Sequence, residues 1–330
     1  MIHLGTSKGS VHIFTRFGPG SNPQYSETIL YPPSDIGSRA QFGWSLSINT
    51  EGILAIGARA GDQARGSVYM YKFGSGNELK WSLIQELQKP VDNPISRNND
   101  GNFGWSVIVD DRNTVYVGAP YQKAPDDQVT GAIFIYKQQE GSWDDPGTSF
   151  IFGTRDGDEY GFSVATDGRV VVIGAPGEST DEVQNAGMVH IVDISSGSEQ
   201  PPLDAGENAV EDGRFGFSVA LRNDGYLAVG EPKPNLDSPG ATYLYKPSDG
   251  SSPVPYSFDR RLESSKSFDE FGFSVSFGGE TLLVGTPNDT VIDEEGAGSV
   301  TVYTLGASTT NTVADPRTPD EDTNTPSFSP

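Results

Sequence analysis

One short pattern returns five times in this chain and decides what it can fold into. An aromatic–glycine pair occurs as Phe42-Gly43, Phe103-Gly104, Tyr160-Gly161, Phe215-Gly216 and Phe271-Gly272, at spacings of 55 to 61 residues, and each copy leads through Ser and an apolar residue into an alternating stretch. A second marker follows 14 or 15 residues later: Gly57-Ala58-Arg59, Gly118-Ala119-Pro120, Gly174-Ala175-Pro176, Gly230-Glu231-Pro232 and Gly285-Thr286-Pro287. A third is a Gly that opens another alternating run, at Gly66, Gly131, Gly187, Gly240 and Gly298. Self-similarity at a fixed period marks a repeat architecture, in which each unit buries its apolar face against its neighbours.

Between copies lies a fourth, weaker stretch, clearest at Trp81 to Leu87 and Tyr256 to Leu262, so each repeat is expected to hold four short antiparallel strands, A to D. Four strands per repeat make a propeller blade, and the expected class is all-β. Composition agrees: 40 Gly and 23 Pro break a 35% hydrophobic sequence into short apolar runs. Glycine suits strands crowded near a common axis, proline after strand B ends the hydrogen-bond ladder, and the aromatic before Gly is expected to wedge between blades.

These markers resemble the FG-GAP repeat of the integrin α-chain β-propeller, over roughly residues 1 to 305. The resemblance implies a propeller used for adhesion or ligand binding, usually seven-bladed and extracellular or at the cell surface. Upstream of the five repeats, Leu4-Gly5-Thr6 matches the second marker and Gly9-Ser10-Val11 the third, which adds a partial N-terminal blade without strand A. The expectation is six blades in this chain as part of a larger ring, with residues near Thr310 to Ala314 as a candidate for the gap. Residues 306–330, rich in Ser, Thr, Pro and Asp, are expected to form a disordered tail, because so few apolar residues cannot offset the entropy of ordering.

With 22 Lys and Arg against 45 Asp and Glu, the net charge of −23 repels a phosphate backbone, so nucleic acid is not an expected partner. The absence of Cys excludes thiol catalysis, Cys-ligated zinc and disulfides. The longest apolar runs, such as Val170 to Ile173, are too short to span a bilayer, and no charged-then-apolar leader follows Met1.

Integrin-type repeats often carry a calcium loop between strands A and B. Here those connections are Asn49-Thr50-Glu51-Gly52, Asp110-Asp111-Arg112-Asn113, Thr166-Asp167-Gly168-Arg169, Arg222-Asn223-Asp224-Gly225 and Phe277-Gly278-Gly279-Glu280, tight turns too short to wrap a cation. No calcium and no other cofactor is expected. The opposite face, built from the B–C and D–A loops, gathers the acids: Asp126, Asp127, Glu178, Asp181, Glu182, Asp293, Glu294 and Glu295 in B–C loops, and Asp156, Asp158, Glu159, Glu211, Asp212, Asp269 and Glu270 before the aromatic–glycine pairs. These are the candidate ligand-binding residues, set against the plainer reading of a solvated charged surface in which Arg39, Arg97, Arg155 and Arg214 pair some of the charge.

No residues are expected to be catalytic. Gly5-Thr6-Ser7-Lys8-Gly9 fits a nucleophile-elbow string but falls in a B–C loop rather than a strand-turn-helix. His12 and His190 occupy a position where other copies have Tyr69, Phe134, Tyr243 and Thr301, which makes it structural. Asn288-Asp289-Thr290 is a glycosylation sequon, meaningful at Asn288 if the chain is secreted. The leading reading is a non-enzymatic binding or adhesion module for a protein or glycan; the alternatives are a carbohydrate-active enzyme using face carboxylates and a structural spacer of a larger surface protein.

Overall fold

The computed structural model describes residues 8–17, 24–34, 36, 40–59, 66–74, 80–90, 101–143, 150–232, 239–248, 255–264, 269–290, 296–305 and 312–314. They form a five-blade propeller arrangement of antiparallel sheets. Blade 1 runs β3 (Phe42–Ile48), β4 (Ile53–Ala58), β5 (Ser67–Phe73) and β6 (Trp81–Gln88), hydrogen-bonded in that order. Blade 4 repeats this order with β16 (Ser218–Leu221), β17 (Leu227–Glu231), β18 (Ala241–Pro247) and β19 (Tyr256–Glu263). Blade 5 has β20 (Ser274–Gly278), β21 (Thr281–Thr286), β22 (Ser299–Thr304) and β23 (Thr312–Ala314).

Two blades depart from this plan at the outer strand. Blade 2 has β7 (Ser106–Val109), β8 (Val115–Ala119) and β9 (Ala132–Tyr136), but its chain then makes a small separate hairpin, β10 (Gln138–Gln139) and β11 (Ser142–Trp143), before returning as β12 (Phe150–Phe152) against β9. Blade 3 has β13 (Ser163–Thr166), β14 (Val170–Ala175) and β15 (Met188–Asp193), with the fourth strand reduced to two bridges, Val189 to Leu203 and Val192 to Glu199.

Strand B of blades 1 to 4 is buried along its whole length because sheets cover both its faces, so it reads as a continuous apolar run rather than an alternating one. The inner strands β3, β7, β13, β16 and β20 lie side by side in that order, and the core occupies the spaces between successive blades.

The sequence markers are the joints between blades. The residue before each aromatic, Gln41, Asn102, Glu159, Arg214 or Glu270, is left-handed, with φ of 53° to 61°, and the Gly after it has φ of 86° to 90°. This double left-handed turn brings the next amide back to the carbonyl ahead of the aromatic, at 3.0 Å for Trp105 to Asn102 and 3.1 Å for Phe217 to Arg214. The aromatic ring is driven inward: Phe103 and Phe215 are fully buried, Phe103 between Val68 and Met70 of blade 1 and Phe134 of its own blade. The expected wedge is therefore present, each ring contributing about 1.5–3 kcal/mol by burial.

The Gly of four of the five wedge turns is held by the preceding blade. Ser45, Ser106, Ser163 and Ser218 donate Oγ hydrogen bonds of 2.8–2.9 Å to the carbonyls of Gly104, Gly161, Gly216 and Gly272. Beside each Ser, the second-marker glycine packs on the same carbonyl: a Cβ on Gly230 would lie 2.0 Å from Gly272 O. Glycine is thus required there by the backbone of the next blade, more specifically than by crowding at an axis.

At the N-terminus the expected partial blade is seen as a two-stranded sheet, β1 (Val11–Phe17) with β2 (Gln24–Leu30), beside the five blades; Leu4-Gly5-Thr6, the expected end of its strand B, lie outside the described residues. One expectation is corrected at the C-terminus. Thr312–Ala314, which fall inside the stretch expected to be a tail, do not fill that sheet's missing strands; they pair with Val300–Val302 as the outer strand of blade 5, because that blade supplies the nearest open edge.

Candidate functional site

Each wedge turn delivers a second aromatic, immediately after the Gly, at the start of the innermost strand. These are Trp44, Trp105, Phe162, Phe217 and Phe273, and they form one unbroken arc, with successive ring centroids 5.1, 4.9, 4.8 and 4.9 Å apart and tilted to one another. Such tilted contacts suit the ring quadrupoles. The arc lies on the loop face, since strand A begins there. Its interior rings are half-buried, and its ends, Trp44 and Phe273, are each 43% exposed.

Two arginines are threaded through the arc. Arg59, standing where the second marker has Pro in other repeats, places Cζ 3.6 Å from the Trp44 ring centroid and 4.4 Å from that of Trp105, while its Nε donates to Gln41 Oε1 at 2.7 Å. Arg214 lies 5.4 Å from Phe162 and 5.5 Å from Phe217 and pairs with Glu159. Stacking on aromatic faces stabilises each guanidinium by about 0.5–2 kcal/mol. Tyr121 meets Trp105 edge-on at 5.6 Å, and its hydroxyl donates to Glu159 Oε1 at 3.4 Å. Burial pushes the Glu159 carboxyl up, against the opposing pull of Arg214; burial and the Glu159 charge raise Tyr121, which keeps its proton to donate.

Of the acids expected to bind a ligand, only Glu159 reaches this arc by a contact described above; Glu270 and Glu159 share the left-handed position before the aromatic. The others divide into structural and exposed groups. Asp158 is buried and accepts the amides of Thr154 and Arg155 at 3.0 and 2.7 Å, although burial outweighs these bonds and raises its carboxyl. Asp269 holds the equivalent place, bonded by Ser264 Oγ. Asp156 accepts the Val129 amide at 2.7 Å and ties two loops of blade 2 together, and Asp212 accepts from Asn185 Nδ2 at 2.8 Å. Asp126 and Asp127 sit on an exposed turn, Asp127 3.7 Å from Lys123, and Glu211 is exposed. Asp293, Glu294 and Glu295 lie outside the described residues, as do Arg39 and Arg97.

Glu178, Asp181 and Glu182 do come together, around a cleft of about 670 Å³ that also includes Asp204, Glu207 and Arg155. Glu178 itself is committed to the protein: it bonds His190 Nε2 at 2.6 Å while Glu199 bonds Nδ1. Burial lowers the His190 pKa, but the two carboxylates outweigh it and lift the imidazole to about 9. The structural role expected for His190 is therefore what its contacts show, and His12 likewise pairs with Glu27 at 2.6 Å. Among the described residues, no group of three or more His, Cys, Asp or Glu gathers so as to hold a metal ion. In the A–B turns, carboxylates serve the turn itself: Asp110 Oδ1 accepts the Arg112 and Thr114 amides and Asp167 Oδ1 those of Arg169 and Val170.

Sequence reasoning missed the aromatic arc and Arg59. The signal was present, since all five repeats have Trp or Phe directly after the marker Gly, and Arg59 is the one second marker of the five that ends in a cation.

Comparison with known proteins agrees with this architecture. The FG-GAP repeat model matches residues 27–71 and 153–192. Each match runs from the outer edge of one blade through strands A, B and C of the next, so it spans a joint. The chain is also similar to integrin alpha-3 of Mus musculus, with 25% identity over 258 residues, which is 68% of this chain and 23% of that protein. FG-GAP repeats are thus found in two regions of the chain. It spans about a quarter of the length of that curated relative. Among the described residues no helix is long and apolar enough to cross a membrane.

Proposed function

We propose that the chain is a non-enzymatic, integrin-like interaction module at the cell surface that docks a protein partner on its loop face, centred on the aromatic arc. The carrying observation is the continuous Trp44–Trp105–Phe162–Phe217–Phe273 array with Arg59 and Arg214 stacked in it. Trp, Tyr and Arg dominate the energetics of protein interfaces because they bury large areas at low entropic cost. The acidic loops around the arc then act as a rim that steers basic partners rather than as the anchor.

The alternative of carbohydrate chemistry loses support from the same geometry, since the buried face acids Asp158, Glu178 and Asp269 are each held by backbone, histidine or serine. Binding of the purified chain to a panel of matrix and cell-surface proteins, read by surface plasmon resonance, tests the reading. Trp44→Ala with Arg59→Ala is expected to weaken any partner found by tenfold or more, as hot-spot truncation does. Asp111→Ala on the opposite face is expected to change nothing. Equal effects from both, or turnover of a glycoside panel, would overturn it.

A further inference from the structure

The detour in blade 2 lies beside a space between blades 2 and 3. After β9 the chain leans towards blade 1: Trp143 buries its ring there, its indole N–H donating to Asn113 O at 2.6 Å and its backbone amide to Gln85 Oε1 at 2.9 Å. The chain comes back only as the three-residue β12, and the neighbouring blade 3 has no continuous outer strand. The space between blades 2 and 3 is a cavity of about 270 Å³, walled chiefly by Ile133, Ile135, Ile151, Val171 and Ile173.

Its polar features are few. Tyr116 lines the cavity and is 2% exposed; Thr114 of the same lining stands beside its hydroxyl, but no well-formed hydrogen bond reaches that hydroxyl among the described residues. A buried hydroxyl left unpaired costs about 1–3 kcal/mol, and one reason to retain it is a ligand that accepts from it. Burial pushes the phenol far above its ordinary value, so it is a donor at any physiological pH. Lys137, the residue after β9 ends, lines the cavity and is exposed at its edge. Asp193 also lines the cavity, with its Oδ1 collecting the Ser195 and Ser196 amides and hydroxyls, which hold its carboxyl down to about 2. One cation and one anion flank the space, so it carries no net charge preference.

We propose that this inter-blade cavity binds a small uncharged apolar molecule bearing one hydrogen-bond acceptor, its hydrocarbon part lodged among the isoleucines and its oxygen accepting from Tyr116. At protein packing density the space suits a ligand of about ten to fifteen heavy atoms. The site is separate from the aromatic arc and does not depend on the interaction reading.

The test uses the whole chain with isotopically labelled isoleucine methyls and three probes of one shape: 4-phenylbutan-2-one, which has the acceptor; butylbenzene, which lacks it; and 4-phenylbutanoate, which adds a charge. The ketone is expected to shift the methyls of Ile133, Ile151 and Ile173 saturably and to bind more tightly than the other two. Tyr116→Phe is expected to weaken the ketone about fivefold and leave butylbenzene unchanged, as loss of one neutral hydrogen bond requires. Ile151→Trp, on the short outer strand, is expected to fill the space and abolish both. No saturable shift at those methyls, equal ketone affinity in Tyr116→Phe, or tighter binding of the carboxylate would each overturn the proposal.

Discussion

The joint between blades 4 and 5 and the outward side of blade 5 use the same residue types for opposite results. At the joint, Ser218 bonds Gly272 O, and a Cβ on Gly230 would collide with that carbonyl at 2.0 Å. On the outward side, the equivalent Ser274 and Gly285 meet no following wedge turn among the described residues: the three atoms nearest a Cβ on Gly285 all belong to Ser274, and the one in hard contact is its Oγ at 2.3 Å. Leu283 and Val300 are exposed there, and a groove of about 550 Å³ runs past Phe273, Ser274, Gly285 and Gly298. The joint residues are therefore not strand formers in their own right. They are a socket, and they contribute stability only where a wedge turn is seated.

The sharpest way to break this comparison is a methyl group. Gly230→Ala is expected to lower stability by roughly 3 kcal/mol, the upper range of overpacking costs, because the obstructing atom is backbone and cannot rotate aside. Gly285→Ala is expected to leave the melting temperature within about 1 °C, since Ser274 can change rotamer. Calorimetry on the two variants decides it; equal losses would mean that the glycines answer to strand geometry rather than to the neighbouring blade.

A second difference separates blade 3 from blade 4 at one shared position. In blade 4 Tyr243 donates its hydroxyl to Glu231 at 2.7 Å, whereas in blade 3 His190 bridges Glu178 and Glu199 and so ties the B–C loop to the irregular outer segment. The imidazole is raised from 6.5 to about 9 in the folded state, so the stability it contributes is fully present below pH 6.5 and is lost as pH rises through about 9. A loss on the order of a few kcal/mol is expected between pH 6 and 9.5. His190→Gln is expected to start lower and to lose less over that interval. A wild-type melting temperature flat across it would refute the bridge.

Much of this was legible in the chain, because repeat periodicity reports what neighbours demand. Five aromatic–glycine pairs in register exposed the wedges, and Gly-Ala-Pro marked the end of strand B. The socket was not legible, since the Ser45-to-Gly104 contact joins residues 59 apart whose partnership exists only once two blades stack. The site was read least well. Charge drew attention to the acidic loops, yet charge says nothing of whether a carboxylate faces solvent, as Asp126 does, or caps its own loop, as Asp158 does. The arc escaped because a second aromatic beside the marker looks like more core, and only stacking across blades makes it a surface.

The smallest effect tests the socket most cleanly, because it removes one hydrogen bond and almost no volume. Ser218 Oγ donates to Gly272 O at 2.8 Å, and the Gly272 carbonyl belongs to a buried residue. Replacing Ser218 with Ala leaves that carbonyl without this donor, at a cost of about 1–2 kcal/mol. Ser274 is exposed, and water can replace whatever its hydroxyl bonds, so Ser274→Ala is expected to cost about 0.5 kcal/mol or less. Neither change adds a clash, which separates this pair from the glycine pair, where a steric effect and a lost contact are mixed. Urea melts of the two variants measure the difference directly. If Ser218→Ala proves as silent as Ser274→Ala, the wedge turn is held by its buried ring alone and the serine in the repeat answers to some other constraint.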